Sequence, residues 1–400
     1  MNKRISRAGS CLERSSIRLF FEKQCRIAAT CDDIVSFTIG EPDFATPENI
    51  CEAGIAAIRA GKTKYAPNAG LWELKVAISE KMKQIYGKVY DPETEIVITT
   101  SGMDSLRLTF AAILDEDDEV LIGDPAWANH PNHPVLAGGR TVRVPLLEEH
   151  NFTYRVEDLE RALTPHTKAI LINSPNNPTG AVIRYGALVQ ILEFAKKHDL
   201  YVVTDEVYYN IIFDGEKFWS PAMFDDMRDR TIVIQSFSKT YAMTGWRLGY
   251  VAGPADVIEA IGKINENSCS CVNTAVQWAG IEALLGEKTK AYTDAMVAEF
   301  QHRRDVVYEM VNNIPGLSCA KPQGAFYAFI NIKATGMKSE EFSNKLLEKW
   351  HVGMTPGTGF GKSGEGYVRM SYATSTDRII EGINRIAAFV AEETAIRKNN

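Results

Sequence analysis

At 400 residues, 45% hydrophobic and 24% charged, the chain carries enough apolar content to bury a large core, and its size suits roughly two domains rather than disorder. A formal net charge of −7 argues against nucleic acid or an anionic membrane as the main partner, since either calls for a basic patch. No run is apolar and long enough for a signal peptide or a membrane span, so a cytoplasmic protein is expected.

In chain order, the first 48 residues hold an amphipathic helix and the loop IGEPDFATP (39–47), expected to return onto a C-terminal domain. From about residue 95 to 255 short β-branched runs alternate with helical patterns: EIVITT, a helix from about Ser101, EVLIGD, KAILIN, a helix through LVQILEFAKK, LYVVTD, TIVIQSF and LGYVAGP. That alternation predicts an α/β fold with a mostly parallel sheet flanked by helices, and strands this apolar predict burial on both faces. After about residue 285 a long charged helix (287–313) precedes separate strands at GAFYAFINI and EGYVRMSYA, the pattern of a smaller α+β domain. The expected division is residues 1–48, the N-terminal arm and part of the small domain; 49–285, the large domain; and 286–400, an interdomain helix with the rest of the small domain.

The seven cysteines, scattered from Cys11 to Cys319, read as reduced thiols of a cytosolic enzyme. Cys269 and Cys271 form a CxC without further ligands at zinc-like spacing, and no metal is assigned to His130 and His133 of the HPNH loop. Gly359-Phe-Gly361-Lys-Ser-Gly364 mimics a phosphate-binding motif, but a strand follows it where such motifs need a helix, so a mobile loop leading to Arg369 is expected.

Ligands in open α/β sheets bind outside the carboxyl ends of the strands. Ser101-Gly102-Met103 opens a helix after the first predicted strand, offering free N–H groups to an anion. Trp127 follows EVLIGD as a platform for a planar ring, and Asn177 follows KAILIN in the turn SPNNPTG. Asp205 and Tyr208 end the next run; Ser236, Ser238, Lys239 and Arg247 follow TIVIQ. Two hydroxyls and an arginine suit a phosphate, and a lysine beside cationic groups is readily deprotonated to a nucleophilic amine, so a phosphorylated aldehyde would satisfy all four.

With IGEPDFATP, TKYAPNAG, NSPNNPTG, TDEVYY, SFSKTYAMTGWRLGY and YVRMSYAT in this order, the chain resembles, from about Ile17 to Ala388, the pyridoxal-phosphate-dependent aminotransferases of fold type I, in particular the bacterial and archaeal aspartate and aromatic branch of class I. The resemblance implies a seven-stranded sheet in the large domain, a small domain built from both termini, and reversible amino transfer between an L-amino acid and a 2-oxo acid such as 2-oxoglutarate. It implies that Lys239 forms the internal Schiff base with pyridoxal 5′-phosphate and shuttles the α-proton. Asp205 would face the pyridine nitrogen, Asn177 and Tyr208 the phenolate oxygen, and Trp127 and Val207 the two ring faces. Ser101, Gly102, Met103, Ser236, Ser238 and Arg247 would hold the phosphate, joined by Tyr65 from a neighbouring subunit, which implies a homodimer with shared sites. Arg369 would bind the substrate α-carboxylate with help from Asn177, Trp127 and the Gly40 backbone.

The pattern departs from aspartate-preferring members at Asp104, where they carry a lysine for the distal carboxylate. Either Asp104 repels a dicarboxylate or it complements the helix N-terminus. Ser15 and Ser16 match hydroxyls used on the distal group, and Arg18 offers a replacement charge. Aromatic or other neutral side chains are therefore expected to serve at least as well as aspartate. The alternative activity on the same scaffold is a carbon–sulfur β-lyase.

Overall fold

The computed structural model describes residues 5, 9, 10, 12 and 14–399. Its strands, in chain order, are β1 (Val35–Ser36), β2 (Ile96–Thr99), β3 (Glu119–Asp124), β4 (Arg140–Pro145), β5 (Thr167–Asn173), β6 (Tyr201–Asp205), β7 (Thr231–Ser236), β8 (Gly249–Ala252), β9 (Ser318–Cys319), β10 (Tyr327–Asn331), β11 (Val352–Gly353), β12 (Thr355–Pro356) and β13 (Tyr367–Ser371). The main sheet has seven strands in the order β2-β8-β7-β6-β5-β3-β4, with β8 antiparallel to both neighbours and the remaining pairs parallel.

β2, β7 and β8 are buried at every position, as expected for strands covered by helices on both faces. β4 escapes the β-branched pattern because it is the edge strand: Arg140 is exposed, Thr141, Val142 and Arg143 are half-buried, and the sequence RTVRVP reads as polar. Arg143 still donates to the Gly123 carbonyl at 2.8 Å, which ties this edge to β3.

The helix Gly102–Ile113 begins where Ser101 caps it, accepting a hydrogen bond from Asp104 N at 3.3 Å. β8 runs against that start. A Cβ on Gly249 would fall 2.6 Å from the Ser101 carbonyl carbon and 2.8 Å from Gly102 N, so only glycine allows this approach.

A second, antiparallel sheet has the order β12-β13-β10-β9, and β1 pairs in parallel with β11. The N-terminal helix Ser16–Ala28 buries Phe20 and Gln24; Gln24 donates to Ser36 Oγ at 2.8 Å and accepts from Thr38 Oγ1 at 3.2 Å. Lys23 reaches Glu348 at 2.7 Å, so the amphipathic face lies against the elements around β11. The long helix Glu287–Asn312 contributes Met296, Phe300, Val307 and Val311 to a core shared with β1, β10 and β13.

The glycine-rich segment before β13 differs from the mobile loop expected. It forms two short 3-10 turns, Gly357–Phe360 and Lys362–Gly364, pinned to the end of β3 by Ser363 N donating to Asp124 Oδ1 at 3.1 Å and Ala126 N donating to the Phe360 carbonyl at 2.9 Å. Its glycines permit close approach: a Cβ on Gly361 would lie 2.0 Å from Asp124 Oδ1.

Because neither backbone atom facing Gly249 can move without displacing the helix start, Gly249→Ala should lower stability by about 1–3 kcal/mol. Urea unfolding of the apoenzyme reads this loss, and a midpoint equal to wild type contradicts the argument.

Candidate active site

The parallel strands β3, β5, β6 and β7 finish on one side of the sheet, and the side chains that follow them meet around a cavity of about 620 Å³. Of the residues singled out in the sequence, Gly40, Ser101, Gly102, Met103, Trp127, Asn177, Asp205, Tyr208, Ser236, Ser238, Lys239, Arg247 and Arg369 all line it, together with Val207. Tyr65 does not; it is 89% exposed on the surface of its own chain.

Lys239 sits in the one-turn helix Phe237–Thr240 that follows β7. Its Nζ donates to the Gly40 carbonyl at 2.6 Å. Burial among protein atoms pushes the amine down to about 8; Glu41 and Asp205 oppose that shift, while Arg369 and Arg247 add to it. Among the described residues no carboxylate comes within ion-pair distance of Lys239.

Asp205 ends β6 as a buried carboxylate. Its Oδ2 lies 2.8 Å from His130 Nε2, and its Oδ1 accepts from Val207 N at 3.3 Å. His130, also buried, packs edge-on against Trp127 with ring centroids 5.2 Å apart. The HPNH loop thus carries the partner of Asp205, which sequence reading passed over for want of any local signal. His133 of the same loop is buried without a hydrogen-bond partner for either ring nitrogen, and burial pushes it down to about 4, so it packs there as a neutral ring.

Tyr208 meets Tyr327 of β10, hydroxyl to hydroxyl, at 2.8 Å. Burial first, then Tyr327, holds the Tyr208 phenol well above its usual range, so it stays protonated and able to donate. Tyr327 was another unforeseen member of the site. A Cβ on Gly40 would lie 2.1 Å from the Tyr327 hydroxyl, which explains the glycine of the GEPDF loop.

The start of helix Gly102–Ile113 faces Ser236, whose Oγ donates to Ser238 Oγ at 3.0 Å. Gly102 is closely confined: an added Cβ would meet Val207 at 3.2 Å and Ser236 at 3.3 Å. Arg247 adopts a left-handed backbone with φ 58° and donates to the Thr244 carbonyl at 2.6 Å, yet among the described residues it has no carboxylate partner. Two hydroxyls, a helix N-terminus and a guanidinium without a carboxylate partner form a cup that suits a phosphate.

Arg369, on β13, is 2% exposed and sandwiched between the Tyr327 and Phe360 rings at 4.7 and 4.8 Å. It donates to Asn177 Oδ1 at 3.1 Å and to the Thr38 carbonyl, while its Nε has no partner. Burial lowers its pKa. A buried guanidinium with an unused donor and no carboxylate among the described residues is arranged for an incoming anion.

Asp104 turns away from the cavity. Its Oδ1 accepts from Arg107 at 2.9 Å and its Oδ2 from Thr100 Oγ1 at 3.0 Å, so it serves the helix N-terminus. Ser15, Ile17, Arg18 and Phe21 of the N-terminal segment line the cavity instead.

The family model for aminotransferase class I and II matches residues 32–386. The chain belongs to that family. It is 41% identical to aromatic-amino-acid aminotransferase 2 of Thermococcus litoralis over 96% of this chain and 97% of that protein, and 42% identical to the aspartate aminotransferase of Pyrococcus abyssi over 95% and 96%. The structure of the Thermus thermophilus aspartate aminotransferase with maleate superposes with a TM-score of 0.91, at 37% identity, over 96% of this chain and 99% of that one. The fold is accordingly the type I aminotransferase fold, and the chain is an aminotransferase that uses pyridoxal 5′-phosphate. The aminotransferase site fits that cofactor: a deprotonatable amine, a buried carboxylate backed by His130 and a cup of anion-binding groups surround one cavity.

In the apoenzyme, reaction of Lys239 with an aromatic aldehyde should rise with pH through a midpoint near pH 8 and then level off, because the neutral amine is the reactive form. Peptide mapping of the borohydride-reduced adduct across pH measures this, and a midpoint near that of a free lysine contradicts it. The stability sign follows from the same depression: between about 8 and 10.5 the unfolded chain binds the extra proton, so this group favours folding increasingly as pH rises through that window.

Proposed function

We propose that Lys239 holds the cofactor aldehyde, with Asp205 at the ring nitrogen, Asn177 and Tyr208 at the ring oxygen, and Trp127 and Val207 on the two faces. Ser101, Gly102, Met103, Ser236, Ser238 and Arg247 take the phosphate. Bound there, the cofactor supplies an electron-withdrawing ring that stores the electron pair left when the substrate α-proton departs. The Lys239 amine, pushed down to about 8 and so more readily neutral than a free lysine, accepts that proton and returns it. His130 positions Asp205 through the 2.8 Å contact, so the carboxylate stays aimed. Residues 1–48 and 286–400 act as one small domain that can close on residues 49–285 and exclude water.

The observation that carries this reading is Arg369, buried and lacking any acidic partner among the described residues, on the same cavity as the Lys239 amine. That pairing holds an α-amino acid by its carboxylate while its nitrogen reaches the reacting centre. Asp104, neutralised by Arg107 at 2.9 Å, gives no reason to reject a dicarboxylate. We assign the distal group instead to the mouth lined by Ser15 and Arg18, with Ile17, Phe21 and Ile39 for an apolar ring. The enzyme then accepts both aromatic amino acids and the dicarboxylates aspartate and 2-oxoglutarate, in keeping with the names of its relatives.

Half-reaction kinetics test this division of labour. Arg369→Lys should lower kcat/KM for every amino acid by about 10²-fold or more, through loss of the bidentate contact. Arg18→Gln should penalise aspartate by about tenfold while sparing phenylalanine. Equal losses for both substrates in Arg18→Gln would rule out the distal role.

Tyr65, Ile58 at 58% and Trp72 at 54% are large apolar side chains left exposed, as expected of residues that a second copy of the chain would cover. In a homodimer Tyr65 would complete the partner's phosphate cup. Co-assembling Lys239→Ala chains with Tyr65→Phe chains should then restore one site of native cofactor affinity per mixed dimer. Absence of any such recovery would place Tyr65 outside the site.

A further inference from the structure

Away from the cavity, Cys31, Asp33 and His351 bring a thiol, a carboxylate and an imidazole together, with one ligand atom from each lying within 4.8 Å of the others. Cys31 Sγ is 3.3 Å from His351 Nδ1, and Asp33 Oδ2 is 3.5 Å from that same nitrogen. Zinc–ligand bonds of about 2.0–2.3 Å in tetrahedral array would separate such atoms by about 3.4–3.6 Å. The two spacings to His351 already match within a few tenths of an ångström, and the third pair, Cys31 and Asp33, lies within 4.8 Å. We propose that these three side chains form a binding site for a zinc-like divalent cation, which ties the segment preceding β1 to β11.

The ligands are held in place without the ion. Val35 N donates to the His351 carbonyl at 2.9 Å, and Arg378 donates to the Ile34 carbonyl at 2.6 Å. Arg385 grips Asp33 twice, at its carbonyl (2.9 Å) and at Oδ1 (2.6 Å), leaving Oδ2 towards His351. Glu381 in turn holds Arg385 from its other side at 2.6 Å. His351 itself ends the helix Ser339–Trp350 in a left-handed conformation, φ 55°.

Binding replaces the Cys31 S–H bond by a sulfur–metal bond and releases that proton to solvent. His351 coordinates as the neutral ring, Asp33 as the carboxylate, and water takes the fourth position. A thiolate with an imidazole selects zinc, cobalt and similar ions over magnesium or calcium. Since β1 continues into Thr38, Ile39 and Gly40 of the cavity wall, the ion would fasten that wall to the second sheet.

Chelator-stripped holoenzyme titrated with Zn²⁺, Co²⁺ and Mg²⁺ provides the test. The wild type should bind one Co²⁺ per chain with a thiolate charge-transfer band, and Zn²⁺ but not Mg²⁺ should raise its melting temperature. Cys31→Ser, Asp33→Asn and His351→Asn, the last chosen because asparagine tolerates the left-handed backbone, should each weaken Zn²⁺ binding more than about tenfold. Cobalt bound without the band, or Zn²⁺ affinity unchanged in Cys31→Ser and His351→Asn, overturns the proposal.

Discussion

The site depends on keeping two basic groups, the half-buried Lys239 and the buried Arg369, around one cavity without giving either a carboxylate of its own. Uncompensated burial of charge is costly, and the molecule meets that cost differently at each position. Lys239 gives up its proton more easily: its amine is pushed down to about 8 and hydrogen-bonds a backbone carbonyl. Arg369 cannot deprotonate, so it is placed between two aromatic faces and given the Asn177 and Thr38 oxygens, with Nε left over. The acid that could have neutralised either, Asp205, is held by His130 instead.

That arrangement requires very close backbone approaches. Gly249 lets β8 lie against the start of the helix Gly102–Ile113, Gly40 makes room for the Tyr327 hydroxyl, and Gly361 lets the loop before β13 sit on Asp124. Each glycine joins two elements far apart in sequence, and each removes a Cβ that would push a functional group out of place. Phe360, brought in by the last of these loops, is one of the two rings that enclose Arg369.

The small-sheet side of the cavity is fixed from the other end of the chain. The N-terminal helix packs through Phe20 and Gln24, β1 pairs with β11, and Arg385 and Arg378 hold the connecting segment. Arg18 and Ser15 therefore come to line the cavity by tertiary packing.

Much of this was legible in the chain. Apolar β-branched runs give buried parallel strands because only residues without polar side chains survive helices on both faces, and the chemistry falls where those runs stop: Ser101, Asn177, Asp205 and Lys239 are each read off a strand end. Local pattern could not reveal β4, whose half-exposed edge position leaves it polar, nor the packed state of the glycine-rich loop, which depends on Asp124 more than two hundred residues earlier. It could not show that Asp104 faces Arg107 rather than substrate, or that His130 and Tyr327 stand behind Asp205 and Tyr208. Sequence determines which groups are present and which strand each one ends; which groups touch is decided by contacts between distant segments, where burial and hydrogen bonding, with no local periodicity, choose the partner.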